Sequence, residues 1–366
     1  MLAQAVADDY TQELNQRYAP HADWQDMLEI EQVEAAASKA WWRSPAAIRS
    51  ARSGLDLPLS GLHLALDPGH IGGMWAAIEG RNFKINAADF AVREGELVLE
   101  VARLVRAELI RMGAAVTLLR DGTTPLNPKP LQAYFSTAVE RIDPPRELSW
   151  SAWSNYSLAL RDLMHRLHAI SGELLERARI VNEDIQPDAL ISLHINAAPW
   201  PTDDAGNKKF ELVESNHTHV LIFGCLSDAE LSVPLQRQQL IAKLVNGSGV
   251  IERELGEALA ISLKQATELP PSNYRGTNAT RLVGGTPYLY ARNLLLLRAV
   301  ECPVVLLEPY IANSRGTYPR LQQAIRSRHS GHPPAADDIL TEYADAVVRG
   351  LLAVYAPPEV DRPAGP

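Results

Sequence analysis

The sequence has few cysteines and no excess of basic residues. Only Cys225 and Cys302 occur among 366 residues, too few for a disulfide framework, and no cysteine or histidine spacing indicates a thiolate metal site. We expect both thiols to be buried, as free cysteines usually are. The 35 Lys and Arg against 44 Asp and Glu give a formal charge of −9, and no basic cluster could neutralise a row of phosphates. We therefore expect no nucleic-acid partner.

Long apolar segments are missing as well. No run approaches the roughly 20 apolar residues that cross a bilayer, so we expect a soluble chain without a transmembrane segment. The opening residues MLAQAVADDY lack the basic and apolar regions of a signal peptide. This is compatible with a cytoplasmic protein and equally with a chain that begins after a cleavage site, so the compartment stays open at this point.

The sequence does contain short apolar runs separated by helical patterns, and 46% hydrophobic residues are ample for a core. Five runs predict strands buried on both faces, at 62–67, 114–119, 189–195, 219–224 and 303–308. Helical patterns lie between several of them, at 94–112, 155–182, 236–267 and 337–354. This alternation predicts an α/β fold with a doubly wound, mostly parallel twisted sheet flanked by helices. Such sheets bind ligands where strands end.

The predicted sheet belongs to one main domain, 59–356, with insertions at about 121–173 and 225–290. Long connections of this kind often build or cover a site, and the first is long enough to hold an autoinhibitory helix. Residues 1–58 are predicted as a helical N-terminal extension, with LEIEQVEAAASKAWW in its middle. Residues 357–366 are a predicted C-terminal tail.

Two histidines at strand ends are the first candidate site residues. LALDPGHIGG runs an apolar strand into a tight turn that carries His70, and ALISLHINA places His194 at the end of another strand. Either residue alone is more often a hydrogen-bonded loop or core histidine. Two at strand ends favour a metal site, because imidazole is the commonest metal ligand. His219 also begins a predicted strand, but we expect it to point away from the site.

Helix phase provides a third candidate. In EGELVLEVARLVRAELIRMG, Glu94 lies three residues before Leu97 on the apolar stripe, whereas Glu96 lies on the polar side. A carboxylate on a buried face is costly unless it binds a cation or hydrogen-bond donors. Glu96 fits the ordinary role of an acidic residue in a first helical turn, a role that Glu94 could also fill. We therefore place the metal on Glu94 and not on Glu96.

A second carboxylate emerges at the end of the last predicted strand. ECPVVLLEPYIAN places Glu308 directly after an apolar run, where a salt-bridged strand end is the alternative interpretation. Zinc with two His, one Glu and a bound water is a known catalytic set. A further Glu can take the proton of that water. The residues together predict a metallohydrolase with one zinc ion between His70 and His194.

Four blocks of this sequence resemble, in order, the zinc-dependent N-acetylmuramoyl-L-alanine amidases that cut peptidoglycan. DPGH at 67–70 is similar to that family's first metal loop, and Glu94 opens a helix similar to its E-x4-L-x2-A helix. LLERARIVN, with Arg177, resembles its L-x2-R-x3-A-N helix before the ALISLHINA strand, and LLLLRAVECPVVLLE resembles its last strand. The likeness covers roughly 62–120, 174–197 and 294–355.

The resemblance implies that His70, Glu94 and His194 bind zinc and that Glu308 is the catalytic general base. It also implies the substrate, which composition and spacing would not name: the amide between N-acetylmuramic acid and L-alanine in peptidoglycan or a muropeptide. A periplasmic or secreted location follows from that substrate. A regulatory protein partner is compatible with the resemblance.

The chain departs from the family pattern after His70, where the gap to Glu94 is longer than usual. The extra chain IGGMWAAIEGRNFKI carries Trp75, Glu79, Arg81 and Phe83, and we expect it to pack rather than to contact glycan. HRLH at 165–168 is predicted as a solvated helix face rather than a metal site. Two alternatives stay open: a zinc carboxypeptidase that acts on peptidoglycan stems through the same four residues, and a non-catalytic wall-binding protein with the same fold.

Overall fold

The computed structural model describes residues 10–28, 40–53, 56–274 and 276–356. Its central sheet consists of β1 (His63–Pro68), β4 (Ala115–Leu118), β5 (Ala189–Leu193), β6 (His219–Phe223), β7 (Thr280–Arg281), β8 (Leu289–Arg292) and β9 (Val304–Glu308). A separate antiparallel ribbon consists of β2 (Asn82–Phe83) and β3 (Val92–Arg93). The strand order in the central sheet is β4-β1-β5-β9-β6-β8-β7.

Most neighbouring strands of this sheet run parallel. β1 pairs with β4 and β5, β5 with β9, and β6 with β8 in parallel, whereas β6 is antiparallel to β9 and β7 to β8. β5 and β6 are buried along their whole length, as expected for strands covered on both faces. The predicted α/β fold with a mostly parallel sheet is confirmed.

Helices cover this sheet and connect its strands. The α-helices are α1 (Pro45–Ser50), α2 (Glu94–Arg111), α3 (Phe135–Arg141), α4 (Trp150–Arg166), α5 (Glu173–Arg179), α6 (Asp228–Leu231), α7 (Pro234–Val245), α8 (Ser248–Thr267), α9 (Leu295–Ala299), α10 (Tyr318–His329) and α11 (Ile339–Tyr355). Short 3-10 or π turns occupy Leu14–Tyr18, Trp24–Asp26, Gly73–Ala77, Leu131–Tyr134, Leu167–Gly172 and Ile180–Ile185. The turn at Leu167–Gly172 joins α4 to α5.

The structure differs from the predicted elements in several places. The predicted helix 236–267 is divided into α7 and α8 at Gly247, whose φ of 77° is left-handed. β8 and α10 were not predicted. β8 has only the four residues LYAR, too few for a clear pattern, and it forms a strand by pairing with β6 and β7.

The predicted N-terminal extension lies only partly within the described residues. Most of its central motif falls in 29–39, and the predicted tail 357–366 also lies outside them. The described part packs against the sheet domain, because the buried guanidinium of Arg17 forms an ion pair with the buried carboxylate of Glu252. Among the residues that the structure describes, no helix combines the length and apolar character needed to cross a bilayer.

The predicted site residues meet at one edge of the sheet. β1, β5 and β9 are parallel neighbours, so their carboxyl ends lie side by side. His70 and His194 follow the first two strands, Glu308 ends the third, and Glu94 is the first residue of α2. This edge is where open α/β sheets bind their ligands.

Candidate metal centre and active site

His70 lies on a tight turn directly after β1. Its φ of 57° is left-handed, a conformation that costs a non-glycine residue of order 1–3 kcal/mol and recurs at functional sites. A Cβ at Gly69 would lie 2.3 Å from the His194 ring, so glycine is needed for this close approach. Arg120 donates to the carbonyl oxygens of Pro68 and Gly69 at 3.0 and 3.1 Å, and these hydrogen bonds hold the turn in place.

A buried ion pair between Arg177 and Asp67 also holds this turn. Arg177, from α5, donates to Asp67 Oδ1 at 2.8 Å and to the carbonyl oxygen of His70 at 3.0 Å. The Ser192 hydroxyl donates to the other carboxylate oxygen of Asp67 at 2.6 Å. Burial alone would raise the pKa of Asp67, but Arg177 and Ser192 outweigh burial and lower it. Asp67 is therefore ionised and fixed.

His70, Glu94 and His194 come together as one potential metal-binding group. Their ligand atoms all lie within 4.8 Å of one another. Glu94 Oε2 is 3.5 Å from His70 Nε2, and Glu94 Oε1 is 3.1 Å from His194 Nδ1. Burial would raise the pKa of Glu94, but the two imidazoles outweigh it and lower the pKa. Two imidazoles and an ionised carboxylate are a donor set that suits zinc.

Glu96 stays outside this group. Its Oε1 accepts from the backbone nitrogen of Gly73 at 3.0 Å and pairs with Arg93 at 3.2 Å. Glu94 is 6% exposed, and it also accepts from the backbone nitrogen of Ile195 at 3.0 Å. The two carboxylates therefore differ in environment as their helix phase predicts.

Glu308 faces the same centre with one carboxylate oxygen unsatisfied. Its Oε2 is buried and has no hydrogen-bond partner among the described residues. Burial raises the pKa of Glu308 to about 8, against the opposing effect of His194, and nearby Glu94 raises it further. A buried carboxyl oxygen without a partner is costly in a purely structural role. It suits a group that accepts a proton from water or binds beside a metal ion.

Glu79 is a site residue that we had expected only to pack. Its side chain is 4% exposed, and Oε1 lies 3.2 Å from His70 Nδ1. The same carboxylate accepts from the backbone nitrogen of Ile71 at 3.0 Å. Because Glu79 engages Nδ1, the other ring nitrogen of His70 faces Glu94. Glu79 thus has the geometry of the carboxylates that orient metal-binding histidines.

Arg81 also contacts the metal-binding group instead of only packing. Its Nε lies 3.2 Å from His70 Nε2 and 3.3 Å from Glu94 Oε2. These are two of the atoms through which His70 and Glu94 could bind a metal ion. An ion bound through them would displace Arg81 from these contacts. No sequence pattern predicts the positions of Glu79 and Arg81, because they lie in a turn and the short chain after it, where no periodicity applies.

The other candidate histidines lie apart from the metal-binding group. His165 Nδ1 is 2.9 Å from the Arg161 carbonyl oxygen of its own helix, and the half-buried His168 packs on Trp75 with ring centroids 5.5 Å apart. His219 does not point away as we expected: it is fully buried and is the cross-strand neighbour of Glu308. Paired residues on adjacent strands present their side chains on the same face of the sheet. The pairing with Glu308 therefore places the His219 side chain on the face that carries Glu308.

A cavity of about 280 Å³ lies beside the metal-binding group and Glu308. One part of its wall carries the polar groups His70, Glu79, Arg81, His194 and Glu308. The wall continues along the sheet and beneath the helical cover with Ile170, Leu174, Leu221, Tyr274, Arg292 and Leu294. A mostly apolar cavity with a few convergent polar groups is the usual form of a small-molecule site.

Neither a family model nor a curated protein sequence matches the chain. Solved structures of similar fold include the CwlD amidase from Clostridioides difficile in complex with the GerS lipoprotein, at 14% identity and a TM-score of 0.43, covering 80% of this chain and 98% of that one. The N-acetylmuramyl-L-alanine amidase Ami1 from Mycobacterium smegmatis has 18% identity, a TM-score of 0.44 and coverages of 81% and 98%. Similarity at this level concerns the fold and carries no argument about activity.

Proposed function

We propose that the chain is a zinc-dependent amidase that hydrolyses the bond between N-acetylmuramic acid and L-alanine in peptidoglycan or a muropeptide. One observation carries the proposal: His70, Glu94 and His194 converge within metal-binding distance, and the partnerless Oε2 of Glu308 lies in the wall of the same cavity. The choice of substrate rests on the resemblance of the sequence blocks, and the proposed hydrolytic chemistry rests on the geometry of the site. The proposal includes a periplasmic or secreted location, because peptidoglycan is the proposed substrate.

The side chains of the site divide the work of amide hydrolysis. His70, Glu94 and His194 would hold the ion, which when bound would polarise the scissile carbonyl and lower the pKa of a water. Glu79 keeps His70 in the ring orientation that binding needs. Glu308 takes a proton from the attacking water and passes it to the leaving amine nitrogen. The apolar wall of the cavity limits water around these charges, which strengthens their interactions.

Digestion of purified peptidoglycan, followed by mass spectrometry of the soluble products, tests this proposal. The expected product is a stem peptide with a free L-alanine amine, formed with zinc present and lost on chelation. Glu308→Gln should lower the rate at least about a hundredfold, the range that a general acid–base group contributes. Glu96→Gln is the matched control, because Glu96 lies outside the metal-binding group.

The products also separate the alternatives. A carboxypeptidase would shorten the stem and leave the bond between muramic acid and L-alanine intact. A wall-binding protein would sediment with peptidoglycan and release nothing. If zinc-loaded wild-type protein leaves the muramoyl amide uncut, the amidase proposal fails. If Glu308→Gln retains full activity, the assignment of the base fails.

A further inference from the structure

The part of the cavity beyond the metal-binding group carries its own polar residues. Along β6, His219 pairs with Glu308 of β9 and Phe223 pairs with Arg292 of β8. Paired residues share a face, so Arg292 and Glu308 lie on the same side of the sheet. The two pairs lie four positions apart on β6, about 13 Å at the usual rise per residue. The cavity therefore extends along the sheet from Glu308 toward Arg292.

Arg292 differs from the other arginines of the cavity wall. Arg81 pairs with Glu94, and Arg177 pairs with Asp67. Arg292 is half-buried, and among the described residues no carboxylate lies within 4.0 Å of its guanidinium. Its Cζ lies 5.7 Å from the centre of the Tyr274 ring. A guanidinium without an anion in a mostly apolar cavity is costly, and a bound carboxylate would remove that cost.

The Tyr274 hydroxyl provides a second donor beside Arg292. Tyr274 Oη lies 2.9 Å from His219 Nε2, and the fully buried Nδ1 of His219 has no partner among the described residues. Burial lowers the pKa of His219 to about 3, so the ring is neutral and carries one proton. A proton on Nδ1 would be a buried, unsatisfied donor, whereas a proton on Nε2 is donated to the Tyr274 oxygen. The tyrosine hydrogen is then available to a ligand in the cavity.

We propose that Arg292 and Tyr274 form a carboxylate-binding subsite that holds a free carboxylate of the peptide part of the substrate. The inference rests on the proposed amidase function, since it assumes that the scissile amide lies at Glu308. Arg292 is the last residue of β8, and its side chain extends back toward Tyr274. Tyr274 in turn contacts His219, which pairs with Glu308 across the strands. A carboxylate one or two residues beyond the amide lies about 3–7 Å farther along an extended peptide. That reach suits donors beside His219, because His219 is the cross-strand neighbour of Glu308. Leu221 and Leu294 line the intervening wall and suit a small aliphatic side chain.

Hydrolysis of two matched substrates tests this subsite. Each is a lactyl-linked alanyl peptide, and the second residue ends in a free carboxylate in one and in a carboxamide in the other. The zinc-loaded wild type should prefer the carboxylate about 10- to 100-fold in kcat/KM, mainly through KM, because a charge-assisted hydrogen bond contributes about 1.5–3 kcal/mol. Arg292→Gln should bring that ratio close to one, and Tyr274→Phe should lower it in part.

The control is Arg298→Gln, which removes an arginine of the neighbouring helix α9 that bonds Gln239 and Asn293 outside the cavity wall. It should keep the wild-type ratio. Equal rates on both substrates for the wild type, or an unchanged ratio in Arg292→Gln, would overturn the subsite. If the wild type cleaves neither substrate, the amidase function fails and calorimetric binding of the two peptides decides the subsite. Tighter carboxylate binding that is lost in Arg292→Gln supports it, and equal binding refutes it.

Discussion

The contact between Glu79 and His70 leads to a quantitative prediction about metal affinity. Glu79→Gln keeps the size of the side chain but removes the charge that accepts from His70 Nδ1 and from the backbone nitrogen of Ile71. Loss of a carboxylate that orients a metal-binding histidine typically weakens metal binding about 10- to 100-fold, or about 1.4–2.8 kcal/mol. The glutamine oxygen can still accept one hydrogen bond, so we expect the lower half of that range.

The assay is competition for zinc between the metal-free protein and a chromophoric chelator, with thermal unfolding of the metal-free protein as a stability control. The matched variant is Glu96→Gln, because Glu96 accepts from Gly73 in the same segment but belongs to no contact with His70. Its zinc affinity should stay within about threefold of the wild type, as for a surface substitution. A wild-type affinity in Glu79→Gln, or an equal loss in Glu96→Gln, would refute the role given to Glu79.

Three further predictions concern the same centre. Arg81→Ala should bind zinc about two- to fivefold more tightly in the chelator assay, because the ion pair of the partly exposed Arg81 with the buried Glu94, up to about 1 kcal/mol, no longer has to break. Unchanged or weaker binding would contradict this. Burial raises the pKa of the Glu308 carboxyl from its usual 4.5 to about 8. The metal-free folded state therefore binds the carboxyl proton more tightly than the unfolded state does. As a result, the free energy of unfolding falls as the pH rises from about 4.5 to about 8. Glu308→Gln should therefore gain stability relative to wild type between pH 5 and pH 9 in urea unfolding of the metal-free protein, and parallel pH profiles would count against it. Gly69→Ala should abolish zinc binding, because its Cβ would lie 2.3 Å from the His194 ring, and retained binding would show that the turn tolerates a side chain.

The sequence was informative where a pattern extends over several residues. Continuous apolar runs predicted β1, β5 and β9. His70, His194 and Glu308 were identified as candidates because each lies at the end of one of these runs. Helix phase separated Glu94 from Glu96, because eighteen helical residues define the buried face of α2.

The sequence was uninformative where single turns or short pairings decide position. Glu79 and Arg81 reach the metal-binding group through a segment with one 3-10 turn and a two-residue strand, so no periodicity marks them. Arg292 lies at the end of β8, which has four residues and depends on pairing with β6. Tyr274 is in the irregular chain between α8 and β7, and only the folded structure brings it to His219.

The zinc content of the purified protein tests the central claim most directly. The chain would be equilibrated with zinc, freed of excess metal by gel filtration and analysed for metal per chain, beside His70→Ala and His194→Ala. We predict one tightly held zinc ion per chain in the wild type and almost none in either variant, because each variant removes one of three protein ligands. A wild-type protein without zinc, or a His194→Ala variant that still holds one ion per chain, would contradict the account.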